Sequence, residues 1–308
     1  MREITREGIT WVDIEKPTRE DISSLSVRFP FHQLNLEDAQ SKTQITKVEE
    51  QDEYLFIVLR FPVLCRDQGC QPSQISIFLG KDFLVTVHED PFRSVDEVFE
   101  RFGKGTVMNG KQKYGSGALL YAILDRLIDS IFPIMKKFMD NLENIEEAVF
   151  SEDKEVLYEV TKLRRGILDL RRIVSPLKRV IYEIRNGVKV QTGEELDVYF
   201  RDLADHIEKI WELSETSKEI AEIYKDTDFT HYQQRMNQAL IFLTGIFTMT
   251  IPATVIGTLY GMNISLPGGL SNGQWTFLGE YTTFWVILII SFVPAIMMTL
   301  IFRKLKWM

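Results

Sequence analysis

The residues best suited to chemistry lie on two stripes of one long segment near the C-terminus. Asn237, Leu240, Thr244, Phe247, Ile251, Thr254 and Thr258 recur at steps of three and four. A helix would therefore carry amide and hydroxyl oxygens between large apolar groups on one face. Such a face suits the wall of a water-filled path. Two helices cannot enclose one, so that reading requires several copies around an axis. The alternative is threonines that bond back to their own helix and tighten helix contacts. The second stripe is a ladder of carboxylates, Asp205, Glu208, Glu212, Glu215, Glu219, Glu222 and Asp226, with Asp202 one step earlier and Asp228 just beyond. Hard oxygen ligands of this kind suit Mg²⁺ or Ca²⁺ between subunits, which would repel each other once the ion leaves. The ladder also suits a solvated helix face, or a partner for the basic segment that holds Arg164, Arg165, Arg171, Arg172, Lys178, Arg179 and Arg185.

The elements that must carry these groups are legible from charge. Residues 236–279 contain no Asp, Glu, Lys, Arg or His, and residues 281–302 contain none again. As helices, 240–260 and 281–302 would measure roughly 31 and 33 Å at about 1.5 Å per residue, enough for the ~30 Å hydrocarbon layer of a bilayer. Core helices of this length in a globular protein carry a polar face, which is missing here. Arg303, Lys304 and Lys306 follow the second run and Arg235 precedes the first, whereas the only charge between the runs is Glu280. Both termini are therefore expected on the cytoplasmic side of a cell membrane, with the intervening loop outside.

The net charge of −8 is unevenly spread. From Asn237 onward there are three basic residues and one acid, net +2, which leaves −10 on residues 1–236. An acidic cytoplasmic body disfavours nucleic acid and anionic lipid as partners and favours cations. Cys65 and Cys70 are the only cysteines. With no Cys or His cluster to match, they are expected to be reduced and to hold no zinc. No signal peptide is expected from the N-terminal residues, and the hairpin is the only targeting segment the sequence suggests. No nucleophile–base constellation or phosphate-binding Gly-rich loop is apparent, so an enzyme is not expected.

Up to about Phe102 the pattern is short and mixed. Residues 9–14 read as a strand, Thr18 as the cap of a short helix, and 54–61 as a β-rich apolar run. Residues 75–79 and 83–87 flank Gly80-Lys81-Asp82 as a hairpin. After Gly117 long helical pieces are expected: 118–150, 151–185 and a third opening at Thr192. Pro133 and Pro176 are candidate kinks in the first two. Asn186-Gly187 reads as the stop of the second piece, and Thr192-Gly193-Glu194-Glu195 as a capping box for the third. No Gly or Pro interrupts the third from Glu194 to Gly245, so stalk and first span are expected to be one helix. Its packing stripe reads Leu196, Phe200, Leu203, Ile207, Ile210, Ser214, Ser217, Ala221 and Tyr224.

Tyr260-Gly261-Met262-Asn263 closes the first of the two apolar runs. With Pro252 inside that run, Asn237 before it and the ending Arg303-Lys304-Leu305-Lys306-Trp307, the sequence resembles the CorA-type divalent-cation channels. The resemblance extends to 47–50 leading into 54–59 and to 75–83, and so covers most of the chain. It implies an α+β cytoplasmic domain with a long helical stalk plus a two-helix transmembrane hairpin, assembled as a homopentameric funnel in the plasma or inner membrane. The expected domains are 1–116, an N-terminal α/β domain; 117–236, the stalk; and 237–308, the pore hairpin. Within the last, the first span is about 238–261, the external loop 262–280, the second span about 281–302 and the cytoplasmic tail 303–308. By resemblance, Gly261, Met262 and Asn263 form an outer selectivity ring for Mg²⁺, the transported and regulatory ion, with Co²⁺ or Ni²⁺ as further cargo. Asp226 and Asp202 resemble the stalk members of regulatory metal sites between subunits, with Glu89 or Asp90 as partners from the α/β domain. Leu240, Phe247 and Ile251 are the expected apolar constriction.

The sequence departs from the family in its loop. Many members place an acid soon after the motif, whereas here 264–269 is neutral and Glu280 comes late. Weaker cation capture at the mouth is expected. Two other readings stand beside a Mg²⁺ channel: a Zn²⁺ transporter of the same fold, for which His32, His88, His206 and His231 are too scattered to supply soft ligands, and a membrane-anchored divalent-ion sensor.

Overall fold

The structure is a computed structural model that describes residues 1–66, 69–106, 115–150, 156–262, 275–279 and 281–304. The chain divides into two compact units, Met1–Thr227 and Asp228–Met308. In the first unit, strands β1 (Arg2–Arg6), β2 (Ile9–Glu15), β3 (Lys47–Glu50), β4 (Leu55–Arg66), β5 (Gly69–Leu79) and β6 (Phe83–His88) form one sheet in the order β1-β2-β6-β5-β4-β3. The β2–β6 pair is parallel and the others are antiparallel. The hairpin expected around Gly80-Lys81-Asp82 forms, with Leu79 opposite Leu84.

Alternation along β4 sets the layers. Leu55, Ile57, Leu59 and Phe61 point into one core, and Phe56 and Val58 into the other. Helices α1 (Arg19–Arg28) and α2 (Gln33–Gln40) cover the smaller core through Leu25, Leu36 and Ala39. Thr18 caps α1 as expected, in a capping box with Asp21. The larger core lies beneath α3 (Arg93–Lys104), α4 (Ser116–Asp129), α5 (Phe132–Phe150), α6 (Val156–Thr192) and the start of α7 (Asp197–Gly261). Along α7 the expected packing stripe is realised. Phe200, Leu203, Ile207, Ile210, Ser214, Ser217 and Ala221 are buried, and Leu196 and Tyr224 pack at its ends.

Several helix boundaries differ from the sequence reading. The piece expected over 118–150 is two helices, broken between Asp129 and Phe132, because Pro133 has no N–H to give and is accommodated in the first turn of α5. Asn186-Gly187 does not stop α6, which continues to Thr192 and is followed by Gly193 at φ +71°. Nor does Thr192 open the next helix: its Oγ1 donates to Val188 O at 2.8 Å within α6, and α7 begins at Asp197. Glu194, the first of the two acids in that turn, serves another element. The Glu194 carboxylate accepts hydrogen bonds from Gly117 N (2.7 Å) and Ala118 N (3.2 Å), donors in the first turn of α4 that have no intrahelical partner. Replacing Glu194 with Ala is expected to cost about 1–2 kcal/mol of unfolding free energy by removing this cap. Denaturant melts should show it, and an unchanged midpoint would refute it.

The cysteines also depart from expectation. Cys70 is disulfide-bonded, and it faces the chain's other cysteine, Cys65, across the β4–β5 ladder. Two strands in register bring these positions opposite each other, an adjacency that their count and spacing alone did not weigh.

Candidate functional site

The carboxylate ladder of α7 is partly neutralised by α6. Arg164 Nη2 lies 3.2 Å from Glu222 Oε1, while Arg171 pairs with Glu215 and Lys178 with Glu208. Glutamates seven apart on one helix thus meet cations seven apart on an antiparallel neighbour, which is the partner reading for these three acids. Asp205, Glu212, Glu219 and Asp226 lie on the exposed side of α7.

Asp202 has a different environment. Its carboxylate gathers with Asp125 of α4 and His206, with candidate ligand atoms all within 4.8 Å of one another. Among the described residues of the single chain, this is the one such grouping of three. His206 Nε2 is 3.9 Å from Asp202 Oδ1 and Nδ1 is 3.7 Å from Asp129 Oδ1, both beyond hydrogen-bond range. The buried Nδ1 has no hydrogen-bond partner. Burial raises the Asp125 pKa, and the neighbouring Asp129 raises it further. Tyr121 is pushed up to about 12, by burial first and then by Asp125 and Asp202. Crowded carboxylates thus hold a negative potential here that a cation would relieve. Asp125 and His206 were not singled out from sequence. His206 is one helical turn from Asp202, a spacing that could have marked it, whereas Asp125 arrives only through packing of α4 on α7.

Glu89 and Asp90 follow β6. Glu89 pairs with Lys42 at 2.8 Å, and the Asp90 backbone carbonyl lies 2.7 Å from His88 Nδ1. His88 is buried, with Nε2 3.2 Å from Asp13 Oδ1, and Asp13 also receives Arg2 Nε at 2.8 Å and the Thr86 hydroxyl. Burial opposes the charged imidazole, but Asp13 outweighs it and raises the His88 pKa. This network anchors the segment that displays Glu89 and Asp90. In the single chain neither residue joins a group of three metal-binding side chains among the described residues.

In the second unit, the apolar part of α7 and helix α8 (Thr282–Lys304) are each long and apolar enough to cross a membrane, with 6% and 11% of their most apolar windows buried. Low burial separates them from the core helices of a soluble protein. Their covered sides are narrow: Gly245, Thr248, Pro252, Ile256 and Tyr260 on α7, and Thr282, Ser291 and Ala295 on α8. Small residues dominate the α8 side, as expected where helices approach closely in a membrane. The other stripe of α7 is open: Asn237, Leu240, Thr244, Phe247, Ile251, Thr254 and Thr258 are all exposed. Thr254 and Thr258 hydroxyls donate to Thr250 O (2.8 Å) and Thr254 O (2.7 Å) of their own helix. A hydroxyl that donates inward keeps its oxygen lone pairs for an outward partner, so back-bonding and a polar wall coexist. Gly261 ends α7, and Met262 N donates to Leu259 O at 3.3 Å. Asn263, most of the loop and Glu280 lie outside the described residues.

The profile of the family described as CorA-like Mg2+ transporter protein matches residues 6–304. The chain belongs to this family. A putative metal ion transporter, YfjQ, of Bacillus subtilis is 31% identical over 92% of this chain and 88% of its own length. The cobalt/magnesium transport protein CorA of Thermotoga maritima is 29% identical over 97% of this chain and 83% of its own. Among solved structures, the CorA magnesium transporter of Methanocaldococcus jannaschii superposes with a TM-score of 0.81 at 22% identity, covering 100% of this chain and 95% of that one. The likeness establishes a CorA fold: an α/β domain, a long helix and two C-terminal apolar helices. The family is one of membrane transporters.

Proposed function

We propose that this chain forms a channel through which Mg²⁺ enters the cell down the membrane potential, built from five copies around a shared axis. One observation carries the reading: the Asn/Thr stripe of α7 is exposed along its whole length in a single chain, while another face of the same helix is covered. In a pentamer that stripe would line the axis, with the Gly261, Met262 and Asn263 ring at the outer mouth. Mg²⁺ gives up its water shell reluctantly, so neutral oxygens can pass it hydrated. The potential supplies ~4.6 kcal/mol per Mg²⁺ at 100 mV, from ~2.3 per unit charge, which suffices for uptake without ATP. Relatives named for magnesium and for cobalt/magnesium transport support this cargo.

Closure by cytoplasmic Mg²⁺ would use the stalk carboxylates. Asp202 with Asp125 offers hard ligands, and His206 adds an imidazole that also suits Co²⁺ or Ni²⁺. Asp226, Glu89 and Asp90 would complete sites across subunit boundaries. Proteoliposomes with an inside-negative potential should take up Mg²⁺, and collapse of the potential should stop it. Uptake of Zn²⁺ but not Mg²⁺ would favour the zinc branch instead, and no uptake of any ion would leave only a sensor.

Leu240, Phe247 and Ile251 would form the constriction that dewets when the pore closes. Ile251→Gly is expected to conduct even with millimolar Mg²⁺ on the cytoplasmic side, where the unaltered protein is blocked. Electrophysiology on the reconstituted variant reads this directly, and an unchanged block would move the gate elsewhere.

A further inference from the structure

Between the β4–β5 ladder and α6, within the first unit, lies a cavity of about 660 Å³. That is the size of a small-molecule cleft, ~300–1,000 Å³. It contains none of the residues assigned to ion passage or to its regulation. Three of its lining residues are arginines, Arg60 of β4 with Arg172 and Arg179 of α6, against one acid, Asp169. Arg172 and Arg179 are seven residues apart, so they share a face of α6.

These cations are poorly satisfied. The Nε of Arg60 is buried and has no hydrogen-bond acceptor. Arg172 is 3.5 Å from Asp169 and Arg179 is 3.4 Å from Glu183, ion pairs too long to be good hydrogen bonds, on side chains that are 81% and 71% exposed. A buried guanidinium donor without an acceptor is costly, and an anionic oxygen is what removes the cost. The rest of the wall carries the hydroxyl residues Thr46 and Ser175 and an apolar part, with Pro72 on one side and Ile173 and Pro176 on the other. Guanidinium groups are matched by the oxygens of phosphate, and three arginines against Asp169 in the lining, with Glu183 beside Arg179, leave a net positive charge that calls for an anion.

We propose that this cavity binds a phosphate-bearing organic anion, its phosphate oxygens on the three arginines and its organic body against the proline and isoleucine wall. The test uses calorimetry on the full-length protein in detergent, with a chelator to keep divalent ions from the ligand. ATP, inorganic triphosphate and inorganic phosphate are the probes. ATP is expected to bind saturably at one per chain and more tightly than either inorganic ion. Arg60→Gln should weaken it roughly tenfold or more, the effect of one charge-assisted hydrogen bond. Arg172→Glu, on an exposed face where folding is not at stake, should weaken it at least as much. The proposal is overturned if none of the three probes binds saturably at millimolar concentration, or if Arg172→Glu leaves the affinity unchanged. Triphosphate binding as tightly as ATP would overturn the role of the apolar wall.

Discussion

Asn263→Ala is expected to abolish Mg²⁺ flux while the assembly stays intact. The chemistry of the ion and the symmetry of the proposed assembly both lead to this. Mg²⁺ holds its first-shell waters tightly, so a site that passes it hydrated must accept hydrogen bonds from those waters instead of replacing them. An amide oxygen does this without adding charge. Alanine removes the acceptor from every copy at once in the proposed pentamer. At about 1 kcal/mol per lost acceptor, several losses together lower occupancy of the mouth by roughly 10²-fold or more. The rest of the molecule should not notice, since α7 ends at Gly261 and the buried packing stripe of its stalk lies in the first unit. The measurement pairs a Mg²⁺-sensitive dye in proteoliposomes with the size of the detergent-solubilised particle. Normal flux through a particle of unchanged size would remove Asn263 from the selectivity ring. A hairpin that only tethers a sensor predicts that outcome.

The parts of this protein that were legible in its sequence are those governed by local rules. The hairpin at Gly80-Lys81-Asp82, the Thr18 cap and the buried stripe from Phe200 to Ala221 follow from periodicity and capping chemistry within a few residues. The continuity of α7 follows likewise, from the absence of Gly and Pro over its stalk. What escaped depends on neighbours distant in the chain. Thr192 has the spacing of a capping box with Glu195, yet its hydroxyl bonds back to Val188 within α6, and the intervening Glu194 turns to α4, 76–77 residues away, where bare N–H groups wait. The carboxylate ladder is uniform as a sequence pattern, but α6 neutralises Glu208, Glu215 and Glu222 and leaves Asp202 to Asp125 and His206. Spacing on one helix cannot distinguish these acids. Only the helix opposite each one does. The same limit explains Cys70, whose disulfide follows from the register of two strands.

Gly187 shows the limit most sharply, and its replacement by Leu is expected to be strongly destabilising to the first unit. Following Asn186, it has the composition of a helix stop, yet α6 passes through it. The reason lies across the layer interface. A Cβ at 187 would fall 2.6 Å from Leu55 Cδ1 and 2.9 Å from Cδ2. Leu55 is fully buried on β4, so it has no free volume into which to retreat. Glycine therefore sits here for close approach of helix to sheet, at the ~1 kcal/mol that it costs a helix interior relative to alanine. For Gly187→Ala, that ~1 kcal/mol of propensity opposes a clash worth about 1–3 kcal/mol, and the net should be destabilising. For Gly187→Leu the added volume cannot be absorbed, and a loss of about 3 kcal/mol or more is expected. In a unit of this size that corresponds to a Tm lower by roughly 6–12 °C. Thermal unfolding of the full-length protein in detergent measures it. An alanine variant as stable as the unaltered protein would show that the interface yields and that close approach to Leu55 is not what keeps glycine at position 187.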